Sequence, residues 1–385
     1  MNMSYQYVSP ELRVFHGEDC LAFLQRDLAR AGVRRAVVVC GRTVGRSAEL
    51  QLLRDALGDL LAGISPSARE HSPVAGVEEA AQFMEAVACD AIVAVGGGSA
   101  VVTARAAAIR LGEKRPIAEL STRRLPDGKF ESPRLNAPKL PVYAVPTTPS
   151  TAFAKAGTAV HGEDGTRLAM FDPKTRARAI FIHPAFVTSA PVDLVRTAAL
   201  NAFTNAVEAL ESPLCDPFSE ALLMQALRMI RRRLSPGGIE DLESRAALVA
   251  AAVLCGRGTE QGGTGLTSVL AHAIGARAHV ANGIVGSIVL PHTMRYNAPV
   301  TGIRASALLE ALSPGSPHSA DVAPADLVSA LLANLPGPHN LRGIGIASGD
   351  LGAIAEAAMK DWFISRNARP VKDVLALIEV LESAL

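Results

Sequence analysis

The first half of the chain alternates short apolar runs with stretches whose apolar residues recur at helical spacing. Ala36–Val39, Ala91–Val95, Val142–Val145 and Ala179–Ile182 carry no charged or strongly polar residue, the pattern of strands buried on both faces. Between them, Leu50–Leu61, Val77–Ala88 and Ala100–Leu111 read as helices. Strands alternating with helices predict a parallel sheet covered on both sides. Beyond about Pro191 the strand signal ends. Residues 198–211, 219–234, 242–255, 266–277, 304–312, 324–335, 348–364 and 370–385 all read as helices. The pattern predicts an α/β parallel-sheet domain over residues 1–187, followed by an all-helical domain over 188–385. His183-Pro184 and Ala190-Pro191 punctuate the boundary, and the Pro/Ser-rich stretch 313–325 reads as a loop.

Composition narrows the function classes. Of 385 residues, 49% are hydrophobic and 19% charged, which supports large cores and excludes a disordered chain. Lys+Arg is 38 and Asp+Glu 37, a net charge of +1, so no global field draws the chain to nucleic acid or to an anionic membrane. No basic stripe with interleaved aromatics is present. Cys20, Cys40, Cys89, Cys215 and Cys255 form no CxxC pair and read as reduced, buried thiols. The segment MNMSYQYVSPELRVF has neither a basic n-region nor an apolar h-region. No apolar run approaches the roughly 20 residues of a membrane span. A soluble, cytoplasmic protein is expected.

Candidate chemistry begins where the second apolar run ends. Gly96-Gly97-Gly98-Ser99 follows that strand at once and leads into a helix. The glycines let the backbone turn sharply and approach an anion, and the helix N-terminus supplies unpaired N–H groups and a positive dipole end. This suits a pyrophosphate and makes the first domain Rossmann-like, although it is neither GxGxxG nor a Walker loop. A tight turn without a ligand is the other reading. The first strand ends in Gly41-Arg42, where nucleotide-binding sheets often place an acid for the ribose 2′-hydroxyl. A glycine and a guanidinium there point to a 2′-phosphate, hence NADP(H) over NAD(H). Thr147, Thr148 and Thr151 close another strand and offer hydroxyls to the same ligand.

These pieces, in this order, resemble the iron-containing (group III) alcohol dehydrogenase superfamily with its maleylacetate reductase branch. GGGS and Pro146-Thr147-Thr148 look like its nucleotide motifs. The stretch 200–210, LNAFTNAVEAL, looks like its first metal helix, and Gly265 to Asn297 looks like its second metal segment. Residues 340–345 and 367–370 are similar to its tail. The resemblance implies a dinucleotide domain, a helical domain, an active-site cleft between them and a homodimer. In the metal-dependent members one Asp and three His hold a divalent ion. Here the corresponding positions are Asn201, Asn205, Ser268 and Asn282. Neutral amides and a hydroxyl replace neither a carboxylate charge nor imidazole basicity, so no metal is expected. The family histidine beside the nicotinamide is kept as His272. Val102 and Arg105 stand where the family has Asp and Lys, and Arg167 stands for a family lysine.

Without a metal, the oxygen charge that develops during hydride transfer must be met by hydrogen-bond donors. Asn201, Asn205, Ser268 and Asn282 would line such a pocket, and His272 would pass the proton. Arg167, or Lys155 or His279, would hold a carboxylate or phosphate. The implied function is a metal-independent NAD(P)(H) oxidoreductase acting on a small, carboxylate-bearing carbonyl or hydroxy acid. A decarboxylating or lyase-like reaction with held nucleotide, and a non-catalytic nucleotide-binding protein, stay open as alternatives.

Overall fold

A computed structural model describes residues 5–125, 127, 129–234, 237–315 and 322–385; part of the expected loop 313–325 lies outside the described residues. The chain divides into two compact units, Ser9–Pro191 and Val192–Leu385, the latter joined by the residues up to Val8. Tyr7 stacks on Phe218 at 4.6 Å between ring centroids, which places that first segment with the helical unit. The division falls a few residues after 187, because the short helix Pro184–Ser189 buries Phe186 in the core beside the sheet.

The first unit contains strands β1 Arg13–His16, β2 Ala36–Gly41, β3 Leu61–Ala68, β4 Ala91–Gly96, β5 Val142–Pro146, β6 Gly157–His161, β7 Arg167–Phe171 and β8 Ala177–Ile182. Six of them form one parallel sheet in the order β1-β8-β5-β4-β2-β3, and β6 and β7 form a separate antiparallel hairpin. The helices longer than one turn are α1 Cys20–Arg30, α2 Glu49–Leu57, α3 Val74–Ala86, α4 Gly98–Glu113 and α5 Pro184–Ser189, and single turns occur at Arg42–Gly45 and Ile117–Leu120. Leu24, Leu28, Leu50, Leu53 and Leu57 of α1 and α2 pack with Val38, Cys40, Val93 and Val95 on one face. Val37, Val39, Ile92 and Ala94, of the opposite parity, are equally buried beneath α3 and α4.

Four strands follow the apolar runs, and the structure adds β1, β3 and the hairpin. β1 is an edge strand with alternating exposure, and β3 is an edge strand that carries Ser65, Pro66 and Ser67. Proline and polar residues are tolerated there because one side of the ladder is unpaired. The helix expected over 50–61 stops at Leu57, where Gly58 turns at φ +49, and Leu61 already belongs to β3.

The second unit contains α6 Val192–Glu211, α7 Pro217–Arg231, α8 Leu242–Gly262, α9 Leu266–Ala278, α10 Asn282–Thr301, α11 Ala305–Leu312, α12 Pro324–Ala333, α13 Leu351–Ala358 and α14 Val374–Ser383. No strand occurs in it among the described residues. α10 goes beyond the helices expected above, since Gly283, Gly286, Pro291 and Pro299 all argue against a helix. Tertiary packing overrides them. A side chain at Gly283 would put its Cβ 1.9 Å from the Thr197 carbonyl oxygen, so glycine is what lets α10 cross α6 there. The stretch expected as one helix over 348–364 is α13 followed by a separate 3-10 turn, Trp362–Arg366, capped by the Asp361 side chain. The last helix starts at Val374, capped by Asp373, and not at Pro370.

Candidate active site

In the sheet unit the expected nucleotide residues gather at one edge. β2, β4 and β5 are parallel neighbours, with Cys40 paired to Val95 and Gly96 to Pro146. Their carboxyl ends therefore bring Gly41-Arg42, Gly96–Ser99 and Thr147–Thr151 side by side. From β2 the chain moves outward to β3, and from β4 it moves the other way to β5. The crevice between β2 and β4 is thus a topological switch point, where open parallel sheets bind ligands.

Packing, more than flexibility, requires the glycines. A Cβ on Gly97 would lie 2.7 Å from Thr148 Oγ1, and one on Gly98 would lie 2.8 Å from Ser150 Oγ. Gly96 has φ +141, a backbone that favours glycine. The Thr147 N–H donates to the Gly96 carbonyl at 2.9 Å, locking the two loops together. No side chain caps the N-terminus of α4, and although the Ala100 N–H donates to the Gly97 carbonyl at 3.2 Å, the Gly98 and Ser99 amides are left to an anion. Thr147, Thr148 and Thr151 are buried at the base of this loop pair, while Arg42 is exposed at its rim.

Arg105, in the place of the family lysine, is a strut. It is fully buried and donates to the carbonyls of Gly157 at 2.6 Å and Ala152 at 2.7 Å, fixing the Thr151–Ala154 turn and the start of β6. Arg167 opens β7 opposite His161. Lys155 follows the Thr151–Ala154 turn. His279 is the left-handed C-terminal residue of α9 and is exposed.

In the helical unit, α6, α9 and α10 assemble the other expected residues. Asn201 and Asn205 lie one turn apart on α6, and the Asn205 amide donates to the Asn201 carbonyl at 2.8 Å. Ser268, in the first turn of α9, approaches Asn205 Oδ1 at 3.3 Å. Asn282 begins α10, and its Oδ1 lies 3.0 Å from where a Cβ on Gly275 of α9 would stand. His272 is one turn after Ser268.

Two carboxylates complete the arrangement, and neither was foreseen. Glu208 accepts from Ser268 Oγ at 2.6 Å and from the Ser268 N–H at 3.2 Å, with further bonds from the Gly265 and Thr267 amides. It thereby caps α9 through its dipole end. Burial pushes its pKa above the usual carboxylate range, against those hydrogen bonds. Glu208 lies three residues after Asn205 on the same helix face, a spacing legible in the sequence. Asp361 accepts from His272 Nδ1 at 2.8 Å, and its other oxygen receives the Phe363 N–H at 2.9 Å. At 89 residues from His272, it leaves no local signal.

The donor set does not fit a transition-metal ion. An amide would bind a metal through its oxygen, and Asn205 Oδ1 instead faces Ser268 Oγ at 3.3 Å, while Ser268 gives its proton to Glu208 and stays a neutral hydroxyl. Among the described residues no three His, Cys, Asp or Glu side chains come together as a metal-binding group.

Behind this layer lies Glu211, 6% exposed, which accepts from Asn297 Nδ2 at 3.3 Å. Asn297 in turn pairs with Asn367, whose Oδ1 receives the Leu266 N–H at 3.0 Å. Burial, reinforced by nearby Glu208, raises the Glu211 pKa from 4.5 to about 8. Folded protein therefore keeps a proton on Glu211 that the unfolded chain releases. The contribution of Glu211 to stability falls as pH rises from about 4.5 through about 8, by on the order of a few kcal/mol. Glu211→Gln should gain melting temperature relative to wild type by several degrees between pH 5 and pH 8.5. Parallel pH profiles of the two proteins would show that Glu211 does not titrate this way.

Comparison with known proteins agrees with this geometry. Residues 10–184 match the family model for iron-containing alcohol dehydrogenase, and residues 195–384 match that for the C-terminal part of the Fe-containing alcohol dehydrogenase family. Maleylacetate reductase of Pseudomonas aeruginosa is 26% identical over 98% of this chain and 97% of its own. Lactaldehyde reductase of Escherichia coli K12 is 26% identical over 94% of this chain and 95% of its own. An alcohol dehydrogenase from Oenococcus oeni has the same fold, with a TM-score of 0.89 at 20% identity over 99% of this chain and 100% of its own. No helix among the described residues is long and apolar enough to cross a membrane. With both family models matched in order along nearly the whole length, the chain belongs to the iron-containing alcohol dehydrogenase family and is an NAD(P)-linked oxidoreductase.

Proposed function

We propose that the protein is a metal-independent reductase or dehydrogenase that uses NADP(H) in preference to NAD(H). Its substrate is a small carbonyl compound or hydroxy acid that carries a carboxylate. The observation that carries this reading is the His272–Asp361 pair, set one turn from a donor cluster that does not suit a metal. Two of the relatives are named as reductases, of maleylacetate and of lactaldehyde, which fits a carbonyl substrate.

A nicotinamide cofactor held at the sheet edge would supply or accept the hydride. Gly96–Ser99 and the first turn of α4 hold the pyrophosphate, with Thr147, Thr148 and Thr151 at the adjacent loop. Gly41 leaves room at the end of β2, and exposed Arg42 would pair with a 2′-phosphate. On the helical side, Asn201, Asn205, Ser268 and Asn282 line the pocket for the substrate oxygen; the Ser268 proton goes to Glu208 and one Asn205 N–H to the Asn201 carbonyl, so the amide N–H groups of Asn201 and Asn282 are its main donors. Asp361, as a carboxylate, accepts the Nδ1 proton of His272 and so puts the acceptor lone pair on Nε2. His272 then takes the hydroxyl proton in oxidation or, once protonated, returns it in reduction. The working form is a homodimer.

The test is a titration of chelator-treated protein with NADPH and with NADH, followed by NADPH oxidation with short oxo acids in the presence of chelator. Tighter NADPH binding and undiminished turnover are expected. Activity that requires an added divalent ion would overturn the metal-independent reading. Binding without turnover on a broad carbonyl panel would favour a non-catalytic role.

A further inference from the structure

We propose that Arg366 is the receptor for a carboxylate of the compound that reacts at His272, an assignment that rests on the reading of His272 given above. Arg366 ends the 3-10 turn that Asp361 begins. Asp361 is fixed from two sides, by His272 Nδ1 and by the Phe363 N–H, and the Phe363 ring lies 6.1 Å from that of His272. The turn is therefore anchored to the imidazole at one end and presents a guanidinium at the other. At roughly 2 Å of rise per residue, the Arg366 backbone is about 10 Å from that of Asp361. The guanidinium folds back over Trp362, whose ring lies 4.8 Å from that of Phe363, the ring that stands beside His272.

The guanidinium itself is poised and unspent. Its carbon sits 4.1 Å over the Trp362 ring, so the indole covers one face and holds the plane. Its arm lies along the linker into α9, where Gly263, at φ +77, carries no side chain. A Cβ there would meet Arg366 Cδ at 3.6 Å and Nη1 at 3.7 Å. Among the described residues no carboxylate reaches ion-pair distance of Arg366 and no acceptor takes its N–H groups.

Other partly buried arginines of this unit are consumed: Arg304 by Glu220 and the Cys215 carbonyl, and Arg369 by the Tyr296 carbonyl. Burial is the one influence that shifts the Arg366 pKa, downward, with no neighbouring charge contributing. The group nonetheless stays cationic at neutral pH. A half-buried guanidinium, stacked on one face and with its N–H edge unpaired among the described residues, is preorganised for bidentate capture of a carboxylate.

Trp362 is the single tryptophan of the chain, so its fluorescence reports on this site. The full-length protein is titrated with succinate and with its neutral diamide, as wild type, Arg366→Gln and Arg366→Lys. Wild type should give a saturable change with succinate and none with the diamide. Arg366→Gln should weaken succinate at least tenfold, and Arg366→Lys should weaken it less. Unchanged thermal melting of the variants confirms their fold. No saturable response in wild type, or equal affinity in Arg366→Gln, overturns the proposal.

Turnover of 4-oxobutanoate and butanal separates this from the wider reading. If succinate binding depends on Arg366 but neither aldehyde is reduced, the reading of His272 fails and the carboxylate site stands. If both aldehydes are reduced with the same KM in wild type and Arg366→Gln, the reductase stands and the assignment of Arg366 falls.

Discussion

Valine at position 97 or 98 should weaken NADPH binding by more than about a hundredfold, roughly 2.7 kcal/mol, while leaving the chain folded. The clash is steric. The Cβ alone would meet Thr148 Oγ1 at 2.7 Å or Ser150 Oγ at 2.8 Å, and each branch methyl adds to that. Those hydroxyls belong to short side chains on a loop that cannot retreat cheaply. Thr147 is tied to Gly96 through its N–H at 2.9 Å. Ser150 accepts the Ala152 N–H at 3.3 Å, and the Ala152 carbonyl is held by buried Arg105 at 2.7 Å. Prising the loops apart would misplace the first-turn amides of α4, the groups proposed to receive the pyrophosphate. Alanine should show a smaller effect, graded with side-chain volume. The measurement is an NADPH fluorescence titration beside far-UV circular dichroism. A folded Gly97→Val protein with wild-type affinity would remove this loop from the binding site.

The sheet was legible because its central strands are buried on both faces. β2 as far as Cys40, β4 and β5 are apolar and buried throughout, β8 is so from Ala179 on, and the carboxyl ends of β4 and β5 located the glycine and threonine loops. β3 was not legible, because an edge strand accepts Pro66 and two serines that a central strand would reject. α10 was hidden by residues chosen for helix crossing: Gly283 and Gly286 satisfy α6, not helix propensity. In the pocket, the positions of Asn201, Asn205, Ser268 and Asn282 came from resemblance to a family, and the structure brings them onto three neighbouring helices. Glu208 could have been found from its place at 4 and then 3 residues along one face of α6, and it changes the pocket from neutral to one with a buried carboxyl. Asp361 could not, because it meets His272 through tertiary structure and sits where a continuous helix was expected.

Replacement of His272 by alanine should lower kcat by about a hundred- to ten-thousandfold with little change in nucleotide affinity, the range for loss of a general acid–base group. The expectation follows from how the imidazole is held. Its Nδ1 is spent on Asp361 at 2.8 Å, and Asp361 is itself fixed by the Phe363 amide at 2.9 Å. The ring therefore has one tautomer and one orientation, which a group that exchanges a proton with substrate requires. Asp361→Asn tests that step separately. An amide can present its NH₂ to Nδ1, which reverses the tautomer and moves the proton to the face meant to accept one. We expect a loss of about ten- to a hundredfold in kcat, and a pH–rate profile whose basic limb shifts relative to wild type. A residue that merely packed the 3-10 turn would change stability or KM and leave that limb in place. If His272→Ala turns over at the wild-type rate on the best carbonyl substrate, the proton passes by another route. The buried Glu208–Ser268 pair, at 2.6 Å, then becomes the group to mutate next.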